Sequence, residues 1–478
     1  MKKKGRVLLI VHDVYQDDNV FPMGVGYLAS FLEREGAGVT VYSQDVFHYT
    51  NQDLAKFLLE NEFDLIGVGF LAARFKETIL DLCKIVNECK KDAFLVLGAH
   101  GPSPIPEYIL DKTNADIIVI GEAEETMADL LECKLSGGKD LHKIRGIAYR
   151  KNSVCCINPR RTPVKDLDLI PFPAWHLFPI EKYATCLKLF GHKETNRYMP
   201  IITSRGCVNE CNFCYRIEKG FRLRSIESII QEIKILNSEY GINYFLIFDE
   251  LFLISKKRLK DFKGALEKNN LKIEFSCNAR ADILDEESLR MMKECGCRLI
   301  SFGLESTDQS VLNLMNKNTT AEQNLRAVEL TKKAGIGIGL CFIWGNKGDN
   351  EATLKSNLAF IKKYNTYDQI RTIRPVTPFP GSKLYYEAIE NGLLGGPEDF
   401  FAKFKNSDLL TVNFTNIPDK NFYELLFEAN RELILDHYNH TGGNTEAANT
   451  LIDQFQRLYF LGEHKFRGAR HYKRIEVK

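Results

Sequence analysis

Three closely spaced cysteines offer the clearest chemistry in this chain of 478 residues. Cys207, Cys211 and Cys214 are separated by three and then two residues, so a single loop presents three thiolates. A four-iron cluster takes four ligands, and three protein thiolates would leave one iron open to a small molecule. A zinc site would need a fourth ligand nearby, but the next cysteine is Cys277 and the next histidine is His437. The spacing therefore predicts an iron–sulfur cluster, with structural zinc and buried thiols as the alternatives.

Alternating strand and helix patterns accompany the cysteines and must position them. We predict six strands in this part of the chain, at residues 200–203, 244–249, 272–278, 299–303, 337–343 and 369–375. Six βα units are too few to close an eightfold barrel, so the pattern predicts an open, partial (β/α)6 barrel with its active site at the carboxyl ends of the strands. The candidate residues at those ends are Asp249, Glu250, Arg280, Glu305 and Ser306. The Arg280 guanidinium suits bidentate binding of a carboxylate. The alternative for each of these charged residues is a solvated position at the surface without a role in binding.

The first 145 residues also alternate between strand and helix patterns. Predicted strands cover residues 6–11, 39–42, 65–70, 94–97 and 117–120. Five parallel strands separated by helices predict a doubly wound, Rossmann-like sheet with a ligand cleft at the carboxyl ends of its strands. Small residues that admit close approach of a ligand cluster at those ends: Gly24, Gly26, Gly98, Gly101 and Gly121.

The remaining segments complete a four-part α/β organisation. Residues 146–157 predict a small hairpin, and Pro171, Pro173 and Pro179 exclude a long helix after it. The last 80 or so residues have helical spacing and are rich in aromatic residues. We therefore predict a Rossmann-like domain at 1–145, a linker at 146–195, the partial barrel at 196–395 and a helical domain capping the substrate at 396–478.

Composition limits the possible partners and locations. The net charge is +1, which gives no electrostatic signature of nucleic-acid binding, and 44% of the residues are hydrophobic. The apolar runs are shorter than the ~20 residues that cross a bilayer, and the amino terminus does not resemble a signal peptide. We expect a cytoplasmic protein with neither nucleic-acid nor membrane partners; the sequence leaves its oligomeric state unknown.

The cysteine triad resembles that of the radical S-adenosylmethionine (SAM) superfamily. The resemblance implies a [4Fe–4S] cluster held by Cys207, Cys211 and Cys214, with SAM on the fourth iron. It also implies a SAM site in which Phe213 lies beside the adenine and Asp249 with Glu250 receives the amino group. Glu305 and Ser306 would lie near the ribose. The run Trp344-Gly345-Asn346 departs from the Gly-x-Pro-Gly turn of relatives, so adenine contacts are not assigned there.

The first domain resembles the cobalamin-binding domain that precedes the barrel in one class of these enzymes. The resemblance rests on residues 22–29, 97–102 and 119–126. The residues that it would bring to cobalamin are Gly24, Gly26, Arg74, Gly98, His100, Gly101, Gly121 and Glu122. The Asp-x-His-x-x-Gly motif that supplies a histidine to cobalt elsewhere is absent from the sequence. Arg74 and His12 are the candidates for the lower face, and the lower ligand of cobalt is left open.

The combined resemblance implies a cobalamin-dependent radical SAM enzyme. Its main predicted function is methylation of an unactivated carbon, or of phosphorus, in a small-molecule or natural-product substrate, through a 5′-deoxyadenosyl radical and methylcobalamin. An external electron donor such as flavodoxin or ferredoxin would be its partner. One alternative is cyclisation, ring contraction or rearrangement without methyl transfer, and another is a non-catalytic cobalamin-binding zinc protein. The sequence identifies neither the substrate nor a catalytic residue beyond the cofactor sites.

Overall fold

The computed structural model of the protein describes residues 5–14, 19–185, 197–252 and 255–463. The chain forms two compact units. The first comprises Met1–Leu187, Arg197–Cys207 and Tyr215–Ile242, and the second comprises Lys188–Asn196, Val208–Cys214 and Asn243–Lys478.

The first unit is built on a sheet whose strands neighbour each other in the order β2-β1-β3-β4-β5-β6-β7. These strands are β1 Arg6–Val11, β2 Gly38–Ser43, β3 Leu65–Gly69, β4 Phe94–Gly98, β5 Ile117–Val119, β6 Ile147–Lys151 and β7 Val154–Ile157. The first five are parallel, and β6 and β7 join them as an antiparallel hairpin. The hairpin predicted at 146–157 is thus present and extends the sheet.

Helices of the first unit connect the parallel strands of this sheet or follow them in the chain. They are α1 Met23–Arg34, α2 Gln44–Phe47, α3 Asn51–Glu60, α4 Leu80–Cys89, α5 Pro106–Thr113, α6 Glu124–Leu135, α7 Ile180–Ala184 and α8 Ile226–Tyr240. A π-helical segment, Phe75–Ile79, leads into α4. Most residues of β1, β3, β4 and β5 are buried, including Val7 and Leu8 of β1, because helices cover both faces of a doubly wound sheet. The edge strands β2 and β7 are more exposed.

Three further strands of the first unit precede or follow the cysteine loop in the chain: β8 Tyr198–Ile201, β9 Ser204–Cys207 and β10 Gly220–Leu223. β8 corresponds to the first strand predicted for the barrel. β9 and β10 form an antiparallel pair that the sequence patterns did not predict.

The second unit contains the strands β11 Tyr244–Ile247, β12 Glu274–Ala279, β13 Cys297–Glu305, β14 Gly337–Trp344 and β15 Arg374–Pro375. They are parallel and neighbour each other in chain order. The helices among and after them are α9 Lys256–Lys268, α10 Glu286–Glu294, α11 Gln309–Leu314, α12 Ala321–Ala334, α13 Glu351–Tyr364, α14 Lys383–Glu390, α15 Pro397–Lys403, α16 Asp419–Thr441 and α17 Thr445–Phe460. The predicted α/β fold class, with a doubly wound first domain, a partial barrel and a helical carboxyl-terminal region, is confirmed.

The last barrel strand is shorter than predicted, with β15 covering only residues 374 and 375 of the expected 369–375. The backbone of Ile373 bonds instead to the side chain of Asn430 in α16, which accepts from its N–H at 2.8 Å and donates to its carbonyl at 3.0 Å. Pro375 has no N–H to donate to a ladder. Across the described residues, no helix is long and apolar enough to cross a membrane.

Candidate active site

The cysteine loop begins and ends in the β9–β10 hairpin. Cys207 is the last residue of β9 and pairs with Gly220, while Gly206 pairs with Phe221. Gly206 has φ +89°, and a Cβ there would lie 2.3 Å from the Gly220 carbonyl oxygen, so only glycine allows this pairing. The Arg216 guanidinium donates to the Cys207 carbonyl at 3.1 Å. The hairpin thus fixes where the first cysteine leaves the sheet.

The other two cysteines lie in the second unit, where a separate set of hydrogen bonds holds them. The Cys214 N–H donates to the Cys211 carbonyl at 3.2 Å. Between them, Asn212 donates from its backbone to Met315 at 2.9 Å and from its side chain to Leu314 at 3.0 Å. These bonds anchor the loop to the carboxyl end of α11.

The exposure of the three thiols fits their predicted role as cluster ligands. Cys214 is exposed, Cys207 and Cys211 are half-buried, and none of the twelve cysteines in the described residues forms a disulfide. Accessible thiols in a polar loop can deprotonate and ligate iron, whereas buried apolar cysteines are inert. Within the described part of the chain, no three His, Cys, Asp or Glu side chains have the close arrangement that holds one metal ion.

A buried lysine, Lys317, connects several residues of the second unit. Its ammonium lies 2.8 Å from a carboxylate oxygen of Glu305 and 5.9 Å from the centre of the Phe213 ring. Gly303 makes room for this pair, because a Cβ there would lie 2.5 Å from the Glu305 carboxylate. Sequence reasoning missed Lys317, which stands in an Asn-Lys-Asn run typical of a solvated loop.

Electrostatics keeps this lysine charged. Burial lowers the pKa of Lys317, but the attraction of Glu305 outweighs it, and Cys211 contributes in the same direction, so the pKa is raised. A cation that stays charged beside Phe213 and Cys211 suits an anionic or electron-rich ligand.

The predicted carboxylate receptor, Arg280, is already engaged in the structure. Asp282 accepts from Arg280 at 2.9 and 3.1 Å, and the carbonyls of Lys317 and Asn318 accept at 3.2 and 2.8 Å. These bonds use four of the five N–H groups of a guanidinium. Arg280 therefore fixes the backbone that carries Lys317, and its binding of a ligand carboxylate stays a prediction.

The other predicted SAM residues occupy different environments. Asp249 is completely buried and Glu250 is exposed just after β11. Glu305 and Ser306 follow each other, yet Ser306 accepts from the Asp308 N–H at 3.1 Å and lines a cavity of about 470 Å³ between α12 and α13. The structure thus brings Phe213 and Glu305 together around Lys317, and it does not bring Ser306 into that cluster.

The glycines predicted for the cofactor cleft differ in what they contact. Gly24 lies in the first turn of α1 with open space where a side chain would be, and Gly98 leaves ordinary packing distance to Val119. Gly26 and Gly101 are packed so closely that a Cβ would lie within 2.9 Å of Phe21 and 2.7 Å of Phe70, respectively. Packing alone explains glycine at these last two positions, so Gly24 is the better candidate for ligand approach.

Glu122 makes ion pairs with both strands of the hairpin. Its carboxylate accepts from Arg222 at 2.6 and 3.0 Å and lies 3.2 Å from Arg205, which also pairs with Glu124 at 2.7 Å. Burial raises the pKa of Glu122, but the two guanidinium groups outweigh it and hold the pKa below its usual value. Sequence reasoning missed Arg205 and Arg222, whose positions on either side of the cysteine loop were the available signal.

Two more predicted cofactor residues contact the end of the cysteine loop. The His100 ring meets the Tyr215 ring edge to face at 6.0 Å, and Tyr215 directly follows Cys214 in the chain. Gly121 has φ +101°, and a Cβ there would lie 2.3 Å from the Glu218 carboxylate. The loops after β4 and β5 therefore lie against residues that border the cysteines.

The two candidates for the lower face of a corrin lie near each other. Arg74 pairs with Glu77 at 3.5 Å. His12 has a buried Nε2 that contacts no hydrogen-bond partner, and burial together with Arg74 lowers its pKa to about 4. A neutral imidazole with an unsatisfied ring nitrogen is suited to meet a bound group. This residue fits a cofactor better than it fits a role at the surface.

Comparison with protein families identifies both sheets. Residues 10–131 match the B12 binding domain and residues 201–361 match the radical SAM superfamily. The first range runs from the end of β1 through β5, and the second covers the cysteine loop and the strands β11 to β14.

Individual relatives extend these matches. The uncharacterized methyltransferase PH0819 of Pyrococcus horikoshii is 31% identical over 379 residues, which are 78% of this chain and 79% of the relative. The anaerobic magnesium-protoporphyrin IX monomethyl ester cyclase of Rubrivivax gelatinosus is 29% identical over 77% of this chain and 66% of its own. The structure of the radical SAM methyltransferase TsrM from Kitasatospora setae, with cobalamin and a [4Fe–4S] cluster bound, is 19% identical. It superposes with a TM-score of 0.66 over 82% of this chain and 75% of its own.

Proposed function

Because this chain belongs to the family of cobalamin-dependent radical SAM enzymes, we propose that it transfers a methyl group to an unactivated carbon, or to phosphorus, of a small-molecule substrate. The predictions of an enzyme and of a [4Fe–4S] cluster, SAM and cobalamin are confirmed. The observation that carries the methyltransferase proposal is the 31% identity to a methyltransferase over 79% of its length. Nothing in these matches supports the non-catalytic zinc protein.

When bound, a [4Fe–4S] cluster would supply one-electron reduction of SAM, and cobalamin would supply a methyl group for transfer. We assign Cys207, Cys211 and Cys214 as the cluster ligands, supported by their accessible thiols. Lys317 would hold Phe213 and Glu305 in place for SAM, because it contacts both.

Several of the other predicted site residues keep the roles proposed for them. Asp249 and Glu250 would receive the amino group of SAM at the end of β11. The loops after β4 and β5, with Gly98, His100, Gly101 and Gly121, would face the corrin. His12 and Arg74 would lie beneath it, supported by the unsatisfied nitrogen of His12.

The proposed domain boundaries and surroundings follow from the same architecture. We propose a cobalamin-binding domain at 1–145, a linker at 146–195, a radical SAM barrel at 196–395 and a capping domain at 396–478.

The absence of disulfides among the twelve described cysteines supports a reducing compartment such as the cytoplasm. We propose flavodoxin or ferredoxin as the electron donor, because reduction of a [4Fe–4S] cluster requires a one-electron reductant.

The decisive experiment does not require the substrate. The protein, purified anaerobically with cobalamin bound, is reduced and incubated with methyl-labelled SAM. We expect label in the cobalamin fraction together with S-adenosylhomocysteine. SAM cleavage to 5′-deoxyadenosine with no label in that fraction would contradict methyl transfer.

A matched pair of cysteine variants tests the cluster assignment. Cys214→Ala should lower the iron content well below about four atoms per chain. Cys156→Ala removes a half-exposed thiol of β7, outside the loop, and should leave the iron content unchanged. Equal iron content in the two variants would refute the assignment.

The second candidate is cyclisation or rearrangement without methyl transfer. The observation that favours it is the 29% identity to a cyclase. In that case 5′-deoxyadenosine should form in the presence of substrate, and the product should contain no methyl label.

A further inference from the structure

The cavity between α12 and α13 in the second unit has the size of a small-molecule site. Its volume of about 470 Å³ falls within the range of about 300–1,000 Å³ that is usual for ligand pockets. Leu304 of β13 and Phe342 of β14 line it and are buried, so the cavity reaches from the helices down to the sheet. Its apolar lining residues are Leu304, Ala321, Leu325, Phe342, Ala359 and Phe360.

Hydrogen bonds at both ends of the cavity hold its walls in place. At one end, the Thr307 hydroxyl lies 2.8 Å from Ser356 Oγ and 2.9 Å from Asn357 Oδ1, which ties the segment after β13 to α13. At the other end, the Tyr364 hydroxyl of α13 donates to the Glu329 carboxylate of α12 at 2.7 Å. Ser356 and Tyr364 are about 12 Å apart along the helix at 1.5 Å per residue. The cavity is therefore framed by fixed contacts along this stretch of α13.

One buried polar side chain of the lining lacks part of its hydrogen bonding. Asn324 is 3% exposed, and its Nδ2 donates to the Leu304 carbonyl at 3.2 Å. Because a carbonyl can only accept, this bond determines which end of the amide is the oxygen. No described residue donates to that oxygen, Oδ1. A buried amide oxygen without a donor is costly, so the site favours a bound molecule that supplies an N–H or O–H group.

The rest of the lining indicates the chemistry of that molecule. Among the described lining residues, only Glu322 and Lys363 are charged, and both are exposed at the rim with opposite signs. The Phe360 ring lies 5.7 Å from the Phe342 ring and 4.7 Å from the Tyr364 ring, so three aromatic side chains form a continuous wall. An aromatic wall around an uncharged interior favours a neutral, flat and largely apolar ligand.

The cavity lies on the helix side of the sheet, away from the Lys317 ion pair. Gly303 and Glu305 share the other face of β13, since a Cβ on Gly303 would lie 2.5 Å from the Glu305 carboxylate, which pairs with Lys317. Leu304 stands between them and lines the cavity, because neighbouring residues of a strand point to opposite faces. A molecule in the cavity would therefore be separated from Glu305 and Lys317 by the backbone of β13.

We propose that this cavity binds a small, neutral, aromatic molecule that donates a hydrogen bond to Asn324. The ring of the ligand would pack against Phe342 and Phe360, and its N–H or O–H group would satisfy the Asn324 oxygen. This binding site goes beyond the proposed methyl transfer and does not depend on it. The experiments that test it use neither SAM nor turnover, so a failure of methyl transfer would leave their outcomes unchanged.

The first test compares indole with N-methylindole on the full, cluster-containing chain. Both molecules present the same ring system, but only indole carries an N–H donor. In titrations followed by saturation-transfer nuclear magnetic resonance, indole should bind about threefold to tenfold more tightly, which corresponds to one hydrogen bond. Absence of indole binding, or equal affinity for the two probes, would overturn the proposal.

A matched pair of α13 variants locates the binding. Ala359→Trp places a large ring among the lining residues and should weaken indole binding at least about tenfold. Ala352→Trp adds the same side chain at an exposed position of the same helix, outside the lining, and should leave the affinity within about twofold. Equal indole affinity in the two variants would place the probe elsewhere and overturn the site.

A variant of Asn324 tests the hydrogen bond itself. Asn324→Leu removes the amide oxygen and keeps a side chain of similar size, so indole should lose its advantage over N-methylindole. A preference for indole that persists in Asn324→Leu overturns the proposal. Because the result is a ratio of two affinities in one protein, a general loosening of the cavity affects both probes and leaves the ratio informative.

Discussion

Replacing Glu122 by glutamine should loosen the hairpin that carries Cys207. Glu122 is 13% exposed, and its carboxylate serves Arg222 through two hydrogen bonds and Arg205 through a third contact. Arg222 has no other ion pair among the described residues, whereas Arg205 retains Glu124 at 2.7 Å. Removing one partner of a buried pair costs about 3–5 kcal/mol. Partial solvation places this site near the lower limit, at about 3 kcal/mol.

Two neighbouring glutamates provide a graded comparison. Glu124→Gln removes one of the two partners of Arg205, and we expect a cost of about 1–2 kcal/mol, the range of a hydrogen bond to a charged group. Glu125 is 45% exposed, and its partner Arg161 also pairs with Asp129. Glu125→Gln should therefore cost less than about 0.5 kcal/mol. The contacts alone therefore predict that the loss of stability decreases from Glu122→Gln to Glu124→Gln to Glu125→Gln.

Hydrogen exchange measures this cost where it arises. A loss of about 3 kcal/mol corresponds to roughly a hundredfold lower protection of the amides in β9 and β10, since 1.36 kcal/mol is tenfold. Mass spectrometry of peptides covering 204–207 and 220–223 reports it, with α10 peptides as the internal reference. Protection in Glu122→Gln that equals protection in Glu125→Gln would refute the reasoning.

Three further predictions concern buried titratable groups. Lys317→Met leaves the Glu305 carboxylate buried without its cation, so SAM affinity, measured by spectroscopic titration of the reduced cluster, should fall at least about tenfold; an unchanged affinity in Lys317→Met would contradict its assignment. Burial raises the pKa of Asp45 from 3.8 to about 7, so the folded state holds the proton longer and stability should fall as pH rises from about 4 to about 7. Asp45→Asn should abolish this fall in the free energy of unfolding, which is up to about 4 kcal/mol when measured by urea unfolding. A variant that keeps the fall would contradict the prediction. For His12, whose pKa is lowered from 6.5 to about 4, stability should fall by up to about 3 kcal/mol as pH drops through that range. His12→Gln should remove that fall. If urea unfolding shows the same loss of stability with falling pH in the variant and in the unmodified protein, the prediction is wrong.

The parallel strands could be predicted because their signal is local. β1 was predicted at the residues where it occurs, since a run of β-branched and aliphatic residues buried on both faces has few alternatives. The shortening of β15 could not be predicted in this way. Its cause is the side chain of Asn430, which lies 57 residues beyond Ile373 and replaces the ladder bonds.

The hairpin around the cysteines escaped prediction for a similar reason. β9 and β10 contain four residues each, mostly half-buried, so their own sequence gives little periodicity. Their arginines bond to Glu122, which lies 100 residues from Arg222 in sequence. Lys317 escaped prediction for the same reason. Its importance lies in its contacts with Glu305 and Phe213, and the search for polar residues at strand ends treats each residue separately.

The location of Glu122 changes how its predicted role must be tested. Its sequence position after Gly121 suggested contact with cobalamin, but its carboxylate is engaged with the hairpin of Cys207. A Glu122 variant could lose methyl transfer through either effect, so activity alone cannot separate them. If Glu122 acts through the hairpin, hairpin protection and iron content should fall while cobalamin retention on gel filtration is preserved. If it touches the corrin instead, retention should fall while protection of β9 and β10 is preserved. The ion pairs to two arginines favour the first outcome, because a carboxylate that is shared between them has little remaining capacity for a ligand.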